Sequence, residues 1–192
     1  TGFRETQLYI TYQGFGLGFS NANMWWGPGL HSSLTMTNNT SGFPHLMIGT
    51  INHKMYRNIK YNFRYVFSQL DKTDNNPYYT AFVGTIKLVT EPIITIGFNR
   101  NILSPRIINN KEISKFEAAT IIFYSPVKIE NTYQILATYF ILEFPKSGLK
   151  IFFEFGTTDK WQNFSDLLNY PDHGIGSIIG FRQYGPFNNK NL

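Results

Sequence analysis

Three sets of residues in this chain have the types that chemistry needs: two carboxylates in the last third, a pair of adjacent tryptophans, and four histidines. Glu154 and Asp159, in Phe153-Glu154-Phe155-Gly156-Thr157-Thr158-Asp159, are the residue types of a glycosidase, whose two carboxylates stand about 5–9.5 Å apart. Five positions along a strand overshoot that separation unless the chain turns at Gly156. The preferred reading of Glu154 is therefore a carboxylate facing a wet interior and paired with a base such as Arg100 or Arg182 on another strand. His31, His45, His53 and His173 show neither an i, i+4 pairing nor an acidic cluster beside them, so no metal centre is expected. Ser32 and Ser33 follow His31 without the nucleophile elbow that acyl transfer requires. The absence of cysteine removes thiol nucleophiles, zinc ribbons and disulfide frameworks together. Gly14-Phe15-Gly16-Leu17-Gly18 lacks dinucleotide-loop spacing and no helical pattern follows it, so it reads as a strand relieved by glycine. No catalytic residue and no cofactor are expected.

The densest local signal is Trp25-Trp26-Gly27-Pro28-Gly29-Leu30-His31, running on to Asn38-Asn39. Glycine admits positive φ and proline fixes its own near −65°, so Gly-Pro-Gly must bend the chain sharply and hold the indoles on a constrained loop. Two uses are open. The indoles can stack on sugar C–H faces while Asn and Ser side chains bind hydroxyls, or they can anchor a wall or plug a lumen structurally.

Composition narrows the setting. Aromatic residues make up 17% of the 192 positions and charged residues only 15%, against about 25% charged in an average soluble domain, which excludes a disordered tail. The 19 Asn and 5 Ala show a bias that AT-rich coding produces by itself, and some of the Phe, Tyr, Ile and Lys share that origin. Net charge is +5, but the bases are scattered singly and form no phosphate-tracking runs, so nucleic acid is not an expected partner. No stretch approaches the 18 consecutive apolar residues of a spanning helix. The chain opens at Thr1 with no basic and apolar leader, and it is expected to be an internal part of a longer protein.

The elements that must position these residues are strands. Ile59, Tyr61, Phe63, Tyr65 and Phe67 alternate with Lys60, Asn62, Arg64, Val66 and Ser68, a period of two over a length that suits a tilted membrane strand of about 9–11 residues. Leu8, Ile10 and Tyr12, and then Tyr78, Thr80, Phe82, Ile86 and Leu88, repeat the pattern. Further strands are expected at 15–20, 44–52, 92–100, 116–125, 132–144, 149–156 and 175–184, and a helical turn at Ser165 to Tyr170. Tight turns such as Pro145-Lys146-Ser147-Gly148 alternate with long polar connections, as in an up-and-down barrel. The fold class is all-β: a partial antiparallel transmembrane barrel of about ten strands without substantial helix, with residues 1–192 as one domain. A soluble β-sandwich lectin is the rival, since alternation alone does not say which face meets water.

The order of motifs resembles the capsule assembly Wzi family. The resemblance rests on the strand from Gln7 to Gln13, on Gly14 to Ser20, on Trp25-Trp26-Gly27-Pro28-Gly29, on Ser33-Leu34 and Asn38-Asn39, and more loosely on Gly97-Phe98-Asn99-Arg100 and the Glu154 to Asp159 segment. It implies a bacterial outer-membrane β-barrel that binds or organises capsular or extracellular polysaccharide, lectin-like and without catalysis. Its implied partners are that polysaccharide and outer-membrane lipid, with the complete barrel a monomer. Trp25, Trp26, Gly27, Pro28, Gly29, His31, Asn38 and Asn39 are then the glycan-binding or plug loop. Lys60, Arg64, Arg100, Glu154, Asp159 and Arg182 are the polar residues expected to line the lumen. A porin-like channel for small solutes is the alternative function, and a membrane glycosidase using Glu154 and Asp159 a third.

Overall fold

The computed structural model describes residues 5–39, 42–70, 76–108, 110–123, 132–158 and 174–185. The alternating segment 59–69 forms β5 (Ile59–Gln69), and its neighbours follow in chain order. They are β1 (Gln7–Tyr12), β2 (Phe15–Ser20), β3 (His45–Thr50) and a short β4 (Lys54–Tyr56) before it, then β6 (Tyr78–Leu88) and β7 (Ile93–Ser104). A small hairpin, β8 (Ile107–Ile108) with β9 (Lys111–Glu112), and a helix α1 (Lys115–Thr120) precede β10 (Tyr133–Phe144), β11 (Leu149–Thr157) and β12 (Ile175–Gln183).

Ten strands share one sheet in the order β1-β2-β3-β5-β6-β7-β10-β11-β12, with β4 paired to β5. Each pairing is antiparallel, so the topology is up-and-down. The sheet is open, with β1 and β12 at its two ends. Gln13 and Gly14, both at positive φ, close the β1–β2 hairpin, because that geometry matches the right-handed strand twist. This turn, the turn after β6 and Pro145-Lys146-Ser147-Gly148 lie at one end of the sheet, and the strand ends at Ser20, His45, Gln69, Tyr78, Ser104, Tyr133, Thr157 and Ile175 lie at the other.

Segment 116–125, expected as a strand, is helical over Lys115–Thr120 and continues as a 3-10 turn over Ile121–Phe123. The apolar count suggested a strand, but local capping decides. The Ser114 hydroxyl accepts the Glu117 N–H at 3.1 Å and the Glu117 carboxylate accepts the Ser114 N–H at 2.9 Å, a capping box ahead of two alanines. The helical turn expected at Ser165 to Tyr170 lies outside the described residues.

Register divides the sheet into two unlike faces. On one, Val66 stands opposite Ala81, which stands opposite Asn101. This inner face carries segment 21–44 and the largest core cluster, in which Met24 and Trp26 pack on Met47, Val66, Ala81 and Val83. Tyr139, Ile141 and Phe152 form a second cluster on the same face. Glycine makes room for these rings: a Cβ added at Gly97 would stand inside the Tyr139 ring, and one at Gly180 against Phe152.

The opposite, outer face is apolar and uncovered over most of its breadth. Leu8 and Ile10 on β1 are 74% and 80% exposed, Ile179 and Phe181 on β12 are 79% and 78% exposed, and the strands between add Leu17, Ile48, Ile96, Phe140 and Phe153. Phe15, Phe63 and Phe82 run across this face with ring centroids 6.1 and 6.4 Å apart.

Candidate functional site

The tryptophan loop does not project from the sheet; it returns along the inner face. Trp26 and Met36 form an isolated antiparallel bridge, with the Trp26 N–H donating to the Met36 carbonyl at 3.1 Å. The Trp26 carbonyl accepts from the Thr35 hydroxyl at 3.0 Å, from the Ser33 hydroxyl, and from the Asn99 side-chain amide of β7 at 3.3 Å. Asn99 also donates to Thr35 Oγ1 at 3.2 Å.

From β11, Glu154 takes the other side of the loop. Its carboxylate accepts the Leu34 N–H at 3.3 Å and the Ser33 hydroxyl at 3.4 Å, and it is fully buried. Gly27, at φ 152°, brings the backbone against this carboxylate: a Cβ there would stand 2.6 Å from Ser33 Oγ and 2.9 Å from Glu154 Oε2. Leu34 sits over the facing pair Gly156 and Gly176, whose missing side chains leave its seat. The loop thus crosses the inner face from the β5–β6 core to β12.

The motif residues take different environments. Trp26 and Pro28 are buried, Trp25, Gly27 and Gly29 half-buried, and His31, Asn38 and Asn39 exposed. Trp25, Trp26 and Gly27 line a cavity of about 360 Å³ together with Asn62, Arg64 and Tyr139. Its wall continues through His53, Lys87 and Glu143. An indole, amide and hydroxyl groups, and cations around one cavity suit a hydroxyl-rich ligand through stacking and hydrogen bonds.

Lys87 and Glu143 of the cavity wall belong to a charged row at the short-turn end. Lys60 stands opposite Lys87, and Lys150 opposite Arg182. Like charges directly opposite are destabilising, and Glu143 offsets two of them, at 3.1 Å from Lys87 and 3.2 Å from Lys150. The Arg64 Nε is buried without a hydrogen-bond partner.

Of the polar residues expected inside, Lys60, Arg64, Glu154 and Arg182 lie on the inner face. Arg100 does not. It pairs in register with Phe82 and Leu136 on the outer face, and its guanidinium binds Gln134 Oε1 at 2.9–3.1 Å and the Ile122 carbonyl at 2.6 Å. The expected pairing of Glu154 with a base is likewise corrected: Glu154 binds the loop, while Arg182 donates to the Tyr184 hydroxyl at 2.6 Å. Asp159 lies outside the described residues. Sequence reasoning missed Asn99, Lys87, Glu143 and Lys150. Asn99 and Lys87 share strand parity with inward neighbours, a signal present in the alternation.

A sequence model of the family described as capsule assembly protein Wzi matches residues 3–104, just over half of the chain. That span holds the tryptophan loop and β1 to β7. No curated protein and no solved structure matches the chain.

Proposed function

Because the chain belongs to the capsule assembly protein Wzi family, we propose that it is part of an outer-membrane β-barrel that holds or organises capsular polysaccharide at the bacterial surface, lectin-like and without catalysis. The observation that carries this reading is the pinned tryptophan loop, which fills the inner face and leaves Trp25 on a cavity lined by amides, hydroxyls and cations. Contacts of this kind are weak singly, about 0.5–1.5 kcal/mol for an aromatic pair, and gain strength along a repeating polymer.

Two further features support the reading. The apolar outer face runs from β1 to β12 and suits lipid as its solvent. Glu154 holds the loop through Oε1, which faces the Leu34 N–H and the Ser33 hydroxyl, while Oε2 is buried without a hydrogen-bond partner. One sheet running through these strands supports residues 1–192 acting as a single barrel domain.

The test is surface glycan retention. Trp25→Ala in the full-length protein is expected to release capsular polysaccharide into the medium with the folded barrel still abundant in the outer membrane. Unchanged retention at normal abundance would remove the loop from glycan binding, and large single-channel conductance of the wild-type protein would favour the porin-like alternative.

A further inference from the structure

Building on the barrel reading, we propose that segment 114–123 is an interfacial wing: it lies against the outside of the barrel wall near the long-loop end, covers a polar patch there, and meets membrane lipid through Phe116 and Phe123.

The outer face of β7 reads Ile94, Ile96, Phe98, Arg100, Ile102, Ser104. Arg100 therefore interrupts an apolar row. Its surroundings extend the interruption, since Thr80 on β6 and Gln134 on β10 share its face. Hydrocarbon offers such groups no hydrogen bonds, so a bare patch of this kind in a barrel wall is costly.

The wing supplies the missing partners. Thr80 Oγ1 donates to the Ala118 carbonyl at 2.9 Å, the Tyr65 hydroxyl to the Ala119 carbonyl at 2.6 Å, and Arg100 Nη1 to the Ile122 carbonyl at 2.6 Å. Carbonyls in the last turn of a helix have no acceptor role within it, so wall and wing satisfy each other. Ile121 and Ile122 bury themselves against Ile102, Tyr65 and Phe82.

What the wing presents outward is aromatic. Phe116 is 77% exposed and Phe123 is 72% exposed, with the Phe123 ring stacked on Tyr65 at 6.4 Å. Both are continuous with the apolar outer face, whose solvent under this reading is lipid. Depth agrees: Arg100 lies four positions from Ser104 at the long-loop end of β7, and strands rising about 3.3 Å per residue at about 40° tilt put it roughly 10 Å below the rim. Interfacial helices bury their apolar faces about 5–10 Å into the boundary between headgroups and acyl chains. Lipid, rather than a second copy of the chain, is the occupant because the wing's exposed rings continue the lipid-facing surface, the Phe123 ring through its stack on Tyr65.

These 192 residues contain no cysteine, and any cysteine elsewhere in the full-length protein is first replaced by serine, so that single spin labels report cleanly. Phe116→Cys and Phe123→Cys would be labelled in the full-length barrel in phosphatidylcholine–phosphatidylglycerol bilayers, with Ile96→Cys as the outer-wall reference and Ser147→Cys as the aqueous one. Heat-modifiable migration confirms folding of each variant. The expected ratio of oxygen to nickel-chelate accessibility at positions 116 and 123 is several-fold above that at 147 and below that at 96. A ratio equal to that at 147 overturns the wing, and low accessibility to both reagents overturns lipid as its partner in favour of protein. If position 96 itself behaves like 147, the barrel reading fails and the wing with it.

Discussion

The Glu154 carboxylate accepts the Leu34 N–H at 3.3 Å across 120 residues of sequence, tying the loop between β2 and β3 to a strand near the far side of the sheet. A loop held at Asn99 on one side and Glu154 on the other is a fixed part of the inner face. Glu154→Ala leaves the half-buried Leu34 N–H without this acceptor, at a cost of about 1 kcal/mol, whereas Glu154→Gln retains an acceptor oxygen. The Ala variant is expected to lower the thermal midpoint of the folded species and raise single-channel conductance, with Gln intermediate. An unchanged Ala variant would show that the loop holds its place without Glu154.

The two tryptophans should separate stability from binding. Trp26 is 5% exposed within the main core cluster, and truncating a buried aromatic costs about 3–5 kcal/mol. Trp25 is half-buried on the cavity, so Trp25→Ala should change the thermal midpoint little while reducing glycan retention. Equal destabilisation by both substitutions would assign Trp25 to the core instead.

Much of this was legible in the residues. Period-two alternation is a local property, so β5, β6 and β10 to β12 stand close to where the sequence puts them. The same alternation contains the answer for Arg100: it shares parity with Ile94, Ile96 and Phe98. Charge alone suggested a wet face, and parity is the stronger signal because a one-residue shift reverses every side chain. Segment 116–125 was misread because Ile121, Ile122 and Phe123 suit a strand, while the Ser114 and Glu117 capping box is only a two-residue cue. The partners of Glu154 were not legible at all, since a contact spanning 120 positions leaves no local pattern.

Gly97 and Tyr139 face each other across β7 and β10, and the ring occupies the space where a Gly97 side chain would stand. Gly97→Val should therefore destabilise by about 1–3 kcal/mol through overpacking. Tyr139→Ala in the same chain should recover part of that loss, giving a favourable coupling energy in a double-mutant cycle. Strict additivity of the two losses would argue against the ring-over-glycine packing.

Glu143 is the carboxylate within a row of Lys60, Lys87, Lys150 and Arg182, with both its ion pairs about a quarter exposed. Glu143→Gln leaves Lys87 and Lys150 without their counter-charge. A loss of about 1 kcal/mol is expected at low ionic strength, allowing for partial screening, and a smaller one at 0.5 M salt, where the Debye length shortens. Thermal midpoints at the two salt concentrations check this, and a salt-independent difference would point to packing in place of charge.

Glu117 supplies a pH dependence with a defined sign. Hydrogen bonds from the Ser114 backbone and side chain hold its carboxyl below the ordinary glutamate range. A folded-state pKa below the unfolded one gives α1 a stabilising contribution that is complete above about pH 4.3, the unfolded value. That contribution is lost as pH falls through the folded value. A spin label at Phe116→Cys should thus keep constant mobility from neutral pH to about 5 and gain mobility below about 4. Glu117→Gln keeps a side chain able to cap but removes the titration, so its label mobility should not change over that range. A loosening that persists in the Gln variant would assign the transition to another group and leave the capping box without a role in it.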